Sequence, residues 1–577
     1  MALIKKHWVI LSIVLLSLLF HLTFLSSVPI STTNDQLHYH LDAQSFFYTG
    51  YDLTNSVSLL DIFLFKYPPQ ETVQAELPYL LDLLPLGLFG SSLTSAAFMS
   101  ALFSAGIAIV LYFLGNIFGN KRLGYLAALL GAINPWIVVV GRSAYEAIPA
   151  LFFYLLLLLL FYVLRGKKLL IIIPVLFLAF YSYIGTKLLF LPFLLACGIF
   201  SYFYIHKRKF LIEHLAIIIS AIALAGFYLF QISNAEGASR VGDIFLPTDP
   251  RISQLVNTLR QDSMPFLFDS LLINKFSIYF LMVIENIFNT LSFTFFFLTG
   301  DYFFSLFRHG LFYIADAVFL FIGIGSFFKK NKATTIFFSS LLLISLLPHV
   351  LHNQKDAGQF SPHVTLFIGL LLLVIAHGIS ATISSFSNKK QIFVIGGILL
   401  IYLFSIINFI HIFFFQSPLS TGIYTPSRRL MSKYSIEAMT KTEKVVIHTD
   451  DARTDYKNFL FYNNLITKST ISEIKKMLQT NENVFSYKNI QFVSCGDPKE
   501  VAKDTTLVIG RICYKSLPLK SIEIPQLKDS GGTYTIYNDK VCKGINGQRY
   551  IKDLKLSDLA IEDLTSEQLC KKFLLSY

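Results

Sequence analysis

The sequence predicts a polytopic α-helical membrane protein with about 11 transmembrane helices, interfacial helices on its outer face, and a C-terminal extracytoplasmic α/β domain. Of its 577 residues, 54% are hydrophobic and 15% are charged, a mixture that soluble domains do not carry. Apolar runs of about 18 residues or more, long enough to cross the hydrocarbon core of a bilayer, recur from Trp8 to Phe414. After residue 415 these runs stop, and the strand and helix patterns of a soluble domain follow.

The apolar runs and their basic ends give the expected topology. The predicted spans are about 7–29, 93–117, 123–141, 147–164, 169–184, 186–205, 211–231, 310–328, 334–351, 363–383 and 391–414. Basic clusters between them begin at Gly119, Arg165, His206, Lys329 and Asn388. Because cytoplasmic loops carry an excess of Lys and Arg, these clusters and the N-terminus are expected inside. The first run is interpreted as a retained span, since it is longer than the core of a signal peptide.

One further apolar segment, 276–301, does not fit this topology as a crossing. If it spanned, the later basic clusters would face outward. It also carries Glu285, Asn286 and Asn289, which share one face of a helix. We therefore expect an interfacial or re-entrant helix on the outer side. An ordinary span with a polar stripe that faces the helix bundle is the alternative.

This topology leaves long segments only on the outer side of the membrane. The predicted division is a transmembrane domain over 1–415, with a first outer loop at 31–92 and a second at 233–309, and an extracytoplasmic α/β domain over 416–577. The cytoplasmic connections are short and basic, so chemistry is expected on the outer face. The formal net charge of +12 is explained by membrane anchors, so nucleic acid is not an expected partner.

The C-terminal segment contains four of the five cysteines, Cys495, Cys513, Cys542 and Cys570. On the outer side they are expected to form disulfides, for which three pairings are open. We favour the pairs that are neighbours in the sequence. A zinc site of four cysteines is disfavoured, because no CxxC spacing is present.

Asp35 is the first acid after the first apolar run, in the stretch STTNDQLHYHLD that begins at Ser31. A carboxylate held among aromatic residues at the membrane surface is partly desolvated, which suits a general base. The same stretch is also typical of a helix N-cap with a helix that begins near Gln36. Both interpretations stay open on the residues alone.

Several Lys and Arg residues lie on the predicted outer face, although membrane proteins concentrate these residues in their cytoplasmic loops. Their presence outside needs an explanation. A negatively charged ligand supplies one, since Arg offers a planar donor fork and Lys a point charge. Ion pairs with acids such as Glu71, Glu76, Glu146 and Asp249 supply another. The histidines His38, His40, His352 and His363 lack the spacing of a metal motif.

The order of motifs resembles a known family. NDQLHYHLDAQSFFYTGYD after the first span, then YPPQETVQAELPYL, and then NPW with Arg142 and Glu146 resemble bacterial integral-membrane glycosyltransferases of the GT-C superfamily. These are related to protein O-mannosyltransferases and to aminoarabinose transferases of lipid A. Tyr183 with Lys187 and the FLTGD run that ends at Asp301 also match. The resemblance covers about 1–415 and no part of the C-terminal domain.

The resemblance implies an inverting glycosyltransferase that takes a sugar from a polyprenyl-phosphate donor in a bacterial cytoplasmic membrane. The acceptor is a lipid, a glycan or a protein on the outer face. Asp35 is then the general base, with Glu146 or Asp42 as a second acid. The implied ligands of the donor phosphate are Arg142, Lys187, Tyr183, Arg308, His309 and His363.

Gln36 is the main departure from the family, whose members carry Glu after this Asp. No cofactor is required by the pattern, and a divalent cation, Mg or Mn, is compatible with it, although Gln36 argues against one. The residues suggest no dedicated metal site. Two other functions stay open: a non-catalytic membrane scaffold of the same fold, and a transporter of lipid-linked sugars. The absence of repeated halves and of mid-membrane polar groups disfavours the transporter.

Overall fold

The computed structural model describes residues 2–66, 74–205, 212–233, 246, 249, 251–264, 266–327, 332–352, 359–419, 426–479, 484–496, 504–513, 521–525, 532–545 and 553–576. Helices form its N-terminal part. They are α1 (Ala2–Leu22), α2 (Asn34–Thr49), α3 (Leu59–Phe63), α4 (Leu77–Phe89), α5 (Leu93–Phe118), α6 (Lys121–Ile133), α7 (Pro135–Arg142), α8 (Ala147–Val163), α9 (Ile172–Ser182), α10 (Lys187–Phe200), α11 (Ile212–Ser233), α12 (Arg251–Gln261), α13 (Asp269–Leu272), α14 (Lys275–Thr290), α15 (Ile314–Phe327), α16 (Lys332–Ser345), α17 (Leu347–Val350), α18 (Thr365–Ser384) and α19 (Asn388–Ile410).

Seven helical stretches in the described part of the chain are long and apolar enough to cross a membrane. Six coincide with spans predicted from the sequence, and the seventh is Lys275–Leu298. We expected this last segment to be interfacial or re-entrant, and its length and composition also satisfy the alternative of an ordinary span. The prediction of a polytopic helical membrane protein is confirmed.

The remaining predicted spans are helical but shorter or broken. Helices α6 and α7 are bent by 48° where Pro135 begins the second of them, since proline cannot continue the first. Trp8–Leu22, Ala147–Val163 and Ile314–Phe327 are apolar but fall below the usual spanning length. Helix α1 ends at Leu22, and not near residue 29, because Phe24 adopts a left-handed backbone conformation with φ of 56°.

The C-terminal part contains one mixed sheet of seven strands in the order β2-β3-β1-β4-β6-β5-β7. Strand β1 is parallel to its two neighbours, β3 and β4, and all other pairs are antiparallel. The strands are β1 (Lys444–Thr449), β2 (Val484–Tyr487), β3 (Ile490–Ser494), β4 (Thr505–Gly510), β5 (Ser521–Pro525), β6 (Gly532–Tyr537) and β7 (Leu575–Ser576). The helices are α20 (Pro426–Met439), α21 (Ala452–Tyr462), α22 (Ile471–Gln479) and α23 (Ser566–Phe573). The prediction of a C-terminal α/β region is therefore confirmed.

Two disulfides link this region, Cys495 with Cys513 and Cys542 with Cys570. They are the neighbouring pairs that we favoured from the sequence. The closed loops span 18 and 28 residues. Cys197, in the membrane part, is buried and unpaired.

Reduction of these disulfides is expected to destabilise the C-terminal region. In the chain-entropy account, each bond contributes about 3 to 4 kcal/mol for loops of this length. Thermal unfolding of the purified protein with and without a reductant measures the effect. An unchanged unfolding temperature after confirmed reduction would contradict the expectation.

Candidate active site

Asp35 lies in the first turn of α2. Thr33 caps this helix: its side chain accepts a hydrogen bond from the backbone N–H of Gln36, and the Gln36 side chain accepts one from the backbone N–H of Thr33. The helix-cap interpretation of this stretch therefore holds for Thr33 and Gln36. The Asp35 side chain is exposed and makes no hydrogen bond or ion pair with the described residues. Its carboxylate is thus open to a ligand, and it is less desolvated than we expected.

Gln36 takes the place of the acid that the family carries. Its side chain is only 2% exposed, and its Oε1 accepts hydrogen bonds from the Thr33 backbone N–H at 3.0 Å and from Thr32 Oγ1 at 3.3 Å. The amide oxygen is therefore occupied by the turn that starts α2. The side chain stabilises the helix end that presents Asp35.

Glu146 lies in the turn between α7 and α8, and the structure brings it close to Asp35. Tyr39, which is four residues after Asp35 on α2, donates its hydroxyl hydrogen to Glu146 Oε2 at 2.5 Å. Burial raises the pKa of Glu146 to about 8; the hydrogen bond from Tyr39 opposes this shift, and the charge of Asp35 adds to it. An exposed carboxylate and a buried carboxyl that keeps its proton near neutral pH therefore share this region.

Asp42 lies two turns farther along α2, about 10 Å from Asp35 along the helix axis. Its Oδ1 accepts the backbone N–H of Leu53 at 2.9 Å, and its Oδ2 is 3.7 Å from His38 Nδ1. Burial alone raises the pKa of Asp42, but His38 and Lys457 outweigh it, so the pKa lies below its usual value. Asp42 is therefore an ionised member of a separate polar cluster, and the structure does not bring it to Asp35.

An aromatic wall extends from the two acids. The Tyr145 ring contacts Tyr183 at 6.0 Å, Phe304 at 5.1 Å and Phe360 at 6.0 Å between ring centroids. Burial raises the pKa of Tyr145, and the charges of Tyr183, Glu146 and Asp35 add to the shift. Tyr145 thus joins the acidic end of the site to the segment that precedes α18.

Histidines form the other end of this wall. The His363 ring lies 6.3 Å from Tyr183 and 5.0 Å from Phe360. The His352 ring lies 4.5 Å from His363, and burial lowers the pKa of His352 to about 4. The site therefore runs from two carboxyl groups, past two tyrosines, to neighbouring imidazoles.

Arg142 is 1% exposed and points away from open surface. Its Nη1 donates to the carbonyl of Phe20 and its Nη2 to the carbonyl of Val28, both at 2.8 Å. The Phe414 ring lies 4.9 Å from the guanidinium carbon. Because α7 ends at Arg142, it does not share a helical face with Glu146, contrary to the four-residue spacing in the sequence.

Lys187 is engaged in a buried ion pair. Its Nζ lies 2.6 Å from Glu76 Oε1, and the two side chains are 5% and 0% exposed. The Tyr228 ring lies 4.1 Å from the same Nζ. Pairing with an acid, the alternative that the sequence left open, is thus what the structure records. Tyr183 is extended and precedes a separate helical turn, so it does not share a helical face with Lys187.

The other predicted phosphate ligands are more accessible. Arg308, His309 and His363 are each half-buried. Arg308 makes no side-chain hydrogen bond or ion pair with the described residues. His309 Nδ1 lies 2.9 Å from the carbonyl of Gly310; burial lowers the pKa of His309, and Asp301 opposes this shift. Arg308 can therefore reach an anion without first breaking a contact within the described residues. His309 Nε2 is buried, and the His363 ring packs against Tyr183, Phe360 and His352.

No group of three or more His, Cys, Asp or Glu side chains is placed to hold a metal ion in the part of the chain that the structure describes. Near Asp35, the Gln36 oxygen already accepts two hydrogen bonds and Glu146 accepts one from Tyr39. These residues do not form the open oxygen set that Mg²⁺ or Mn²⁺ prefers. The mechanism below therefore gives a divalent cation no step.

Two members of the site were not predicted from the sequence. Tyr39 is four residues after Asp35 and therefore on the same helical face, a signal that could have identified it. Tyr145 directly precedes Glu146. A tyrosine does not by itself distinguish a functional site from a hydrophobic core, since buried tyrosines that donate one hydrogen bond are common in both.

The proton on Glu146 leads to a prediction about stability. Because its pKa in the folded protein, about 8, is above the ordinary value of 4.5, the folded state binds more protons between these values. The free energy of unfolding should fall as pH rises through this window, by up to about 1.4 kcal/mol per pH unit, and level off above it. Glu146→Gln should remove this slope, measured by denaturant titration across pH. Glu567→Gln, on an exposed helix face, is the control, and an unchanged slope in Glu146→Gln would contradict the assignment.

No family model matches the chain, and a search of curated proteins gives no match. Among solved structures, the chain is similar to the archaeal oligosaccharyltransferase AglB from Archaeoglobus fulgidus in complex with an inhibitory peptide and a dolichol-phosphate: 13% identity, 98% of this chain and 78% of that chain covered, TM-score 0.47. It is also similar to ArnT from Cupriavidus metallidurans bound to undecaprenyl phosphate: 11% identity, 93% and 98% covered, TM-score 0.46. The Archaeoglobus fulgidus oligosaccharyltransferase in complex with Zn and sulfate gives 14% identity, 92% and 73% covered, and a TM-score of 0.46.

Proposed function

We propose that this protein is a membrane glycosyltransferase that moves a sugar from a polyprenyl-phosphate donor to an acceptor on the outer face, with inversion and with Asp35 as general base. The observation that carries the proposal is the open Asp35 carboxylate beside the buried Glu146–Tyr39 pair, at the acidic end of a wall that ends in histidines. The motif resemblance supports the donor class. A sugar on a lipid carrier stays in the membrane plane, and the site lies on the loops that join the apolar helices.

In the proposed reaction, Asp35 accepts the proton of the acceptor hydroxyl or amine. The acceptor atom attacks the anomeric carbon, the bond from that carbon to the phosphate oxygen breaks, and the lipid phosphate leaves with the electron pair. Glu146 is the second acid. It accepts the hydrogen bond of the Tyr39 hydroxyl and keeps its own proton, while Asp35 accepts the proton of the acceptor and later releases it. Asp42, in its separate cluster, is the less favoured second acid.

Arg308 is the first candidate to stabilise the leaving phosphate, because it is cationic, half-buried and without a side-chain partner among the described residues. His309 and His363 follow it as donors of hydrogen bonds. A direct role for Arg142, Lys187 and Tyr183 stays a prediction. Each of them is buried, and the two cations already have oxygen partners. The positive charges of Arg142 and Lys187 can still act on the phosphate at longer range, since charges are screened less in a buried site.

The orientation belongs to the proposal as well. The N-terminus is proposed to lie in the cytoplasm, and the region 416–577 outside, in a multi-pass bacterial cytoplasmic membrane. The two disulfides support the outer placement, because such bonds persist in oxidising compartments. The acceptor, whether lipid, glycan or protein, is proposed to approach between the loops and this C-terminal region.

The test is a transfer assay with purified protein, radiolabelled polyprenyl-phosphate sugars and extracts of envelope lipids, glycans and proteins as acceptors. The expected result is label on an acceptor together with an equal amount of free polyprenyl phosphate. Donor that crosses vesicle membranes unchanged would instead indicate a transporter. Donor that is neither transferred nor moved, by protein that binds envelope partners, would indicate a scaffold.

A further inference from the structure

The segment that leads to Asp35 is held from two sides by buried arginines. This connecting segment, 23–33, joins α1 to α2, and Phe20 lies in the last turn of α1. From the membrane part, Arg142 donates to the carbonyls of Phe20 and Val28. From the C-terminal region, Arg429 on α20 donates from Nη1 to the carbonyl of Ile30 at 2.7 Å and from Nη2 to the carbonyl of Ser26 at 2.9 Å.

Arg429 is well suited to hold this segment. Its side chain has 0% exposure, and Glu562 accepts hydrogen bonds from its Nε, at 2.7 Å, and from its Nη2. The fork of the guanidinium therefore bridges a carboxylate of the C-terminal region and two backbone carbonyls of the connecting segment. Each charged group has a partner, so the contact gives geometric precision without a buried unpaired charge.

Further contacts extend the same junction along the start of α2. Arg428 Nη1 donates to Asn34 Oδ1 at 3.1 Å, directly beside Asp35. The Tyr462 hydroxyl accepts the backbone N–H of Thr32 at 3.0 Å. The residues on both sides of Asp35 in the chain are thus tied to the C-terminal region or to the helix cap, while the Asp35 side chain is left open.

From these contacts we infer that Arg429 is a positioning residue for sugar transfer, through which the C-terminal region sets the place of Asp35. The inference rests on the proposed function for its link to catalysis. A carboxylate that shifts by about 1 Å from a productive position can lose about 100-fold in rate. Contacts that fix the backbone before α2 therefore keep the exposed Asp35 carboxylate at a constant distance from the substrate.

The test compares variants of the full-length protein. Arg429→Gln should raise amide hydrogen exchange in 23–36, lower kcat by about 100-fold per folded molecule, and leave the KM for donor within about twofold. Arg429→Lys keeps a positive charge for Glu562 but cannot donate to both carbonyls. Its amide exchange and its kcat should lie between those of the wild type and those of Arg429→Gln. Lys571→Gln, which breaks the exposed Lys571–Glu567 pair in the same region, is the matched control and should change none of these values.

The pH profile of kcat separates positioning from general loss of structure. If Asp35 moves away, its charge no longer adds to the pKa of Glu146, so the limb of the profile that reports Glu146 should shift to lower pH. If Arg429→Gln does not fold, Tyr462→Phe, which removes the hydroxyl that accepts the Thr32 N–H, is measured in the same way. Unchanged exchange in 23–36, or raised exchange with full activity, overturns the inference. Raised exchange in a protein whose wild type transfers no sugar overturns the proposed function and leaves the holding of the segment established.

Discussion

Asp35→Asn is expected to lower the transfer rate by about 10²- to 10⁴-fold, the range that general-base catalysis supplies. The substitution keeps the size of the side chain and removes only its ability to accept the acceptor's proton. The side chain is exposed and unpartnered among the described residues, so the helix cap formed by Thr33 and Gln36 should persist. Steady-state transfer by purified variant and wild type, with equal folded protein, measures the effect.

Asp563→Asn is the matched control, because Asp563 is also exposed and has no side-chain partner in the described ranges. It should retain full transfer. Asp35→Glu should recover part of the activity, since it restores a carboxylate at a slightly displaced position. Full activity in Asp35→Asn would remove Asp35 as the base and turn attention to Glu146.

Lys187→Met should lower the free energy of unfolding by about 3 to 5 kcal/mol. The substitution removes the ammonium that lies 2.6 Å from the Glu76 carboxylate, which is 0% exposed. Removing the countercharge of a buried carboxylate is costly, and the loss of the contact to Tyr228 adds to the cost. Denaturant titration in detergent measures the change.

Lys66→Met provides the comparison, because Lys66 pairs with Asp61 at 3.2 Å with side chains 57% and 32% exposed. Its cost should be no more than about 1 kcal/mol. The double variant Lys187→Met with Glu76→Gln should recover much of the lost stability, since no buried charge remains. Equal costs for Lys187→Met and Lys66→Met would show that the buried pair contributes no more than a surface pair.

Local patterns predicted the elements of this protein well. The cap before α2 and four of the seven strands, β1, β4, β5 and β6, follow from patterns of nearby residues, and both disulfides have the pairing that we favoured. Asp35 and Glu146 were singled out through the motif resemblance, and their roles stay predictions. The bent pair α6 and α7 was read as one span, since hydropathy does not register the change of direction at Pro135.

The roles of the basic residues could not be predicted in the same way. Arg142 and Arg429 bind backbone carbonyls, Lys187 binds Glu76, and Arg308 has no described partner, yet all look alike in a sequence. The partner of each is set by contacts between distant segments, for which the chain carries no periodic signal. The contacts of Arg142 and Arg429 with the segment before α2 were not predicted for this reason.

The contacts of Arg429 have a consequence for the order in which the protein is made. Arg429 and Ile30 are separated by 399 positions in the chain. At typical rates of synthesis, roughly 20 to 80 s pass between the emergence of the first outer loop and that of its C-terminal partner. During that interval the segment before Asp35 has Arg142 but not Arg429 to hold it. In a chain that stops before residue 429, the segment before α2 therefore has Arg142 as its one arginine contact among the described residues, and the contacts that precede Asp35 are complete only after α20 has been made.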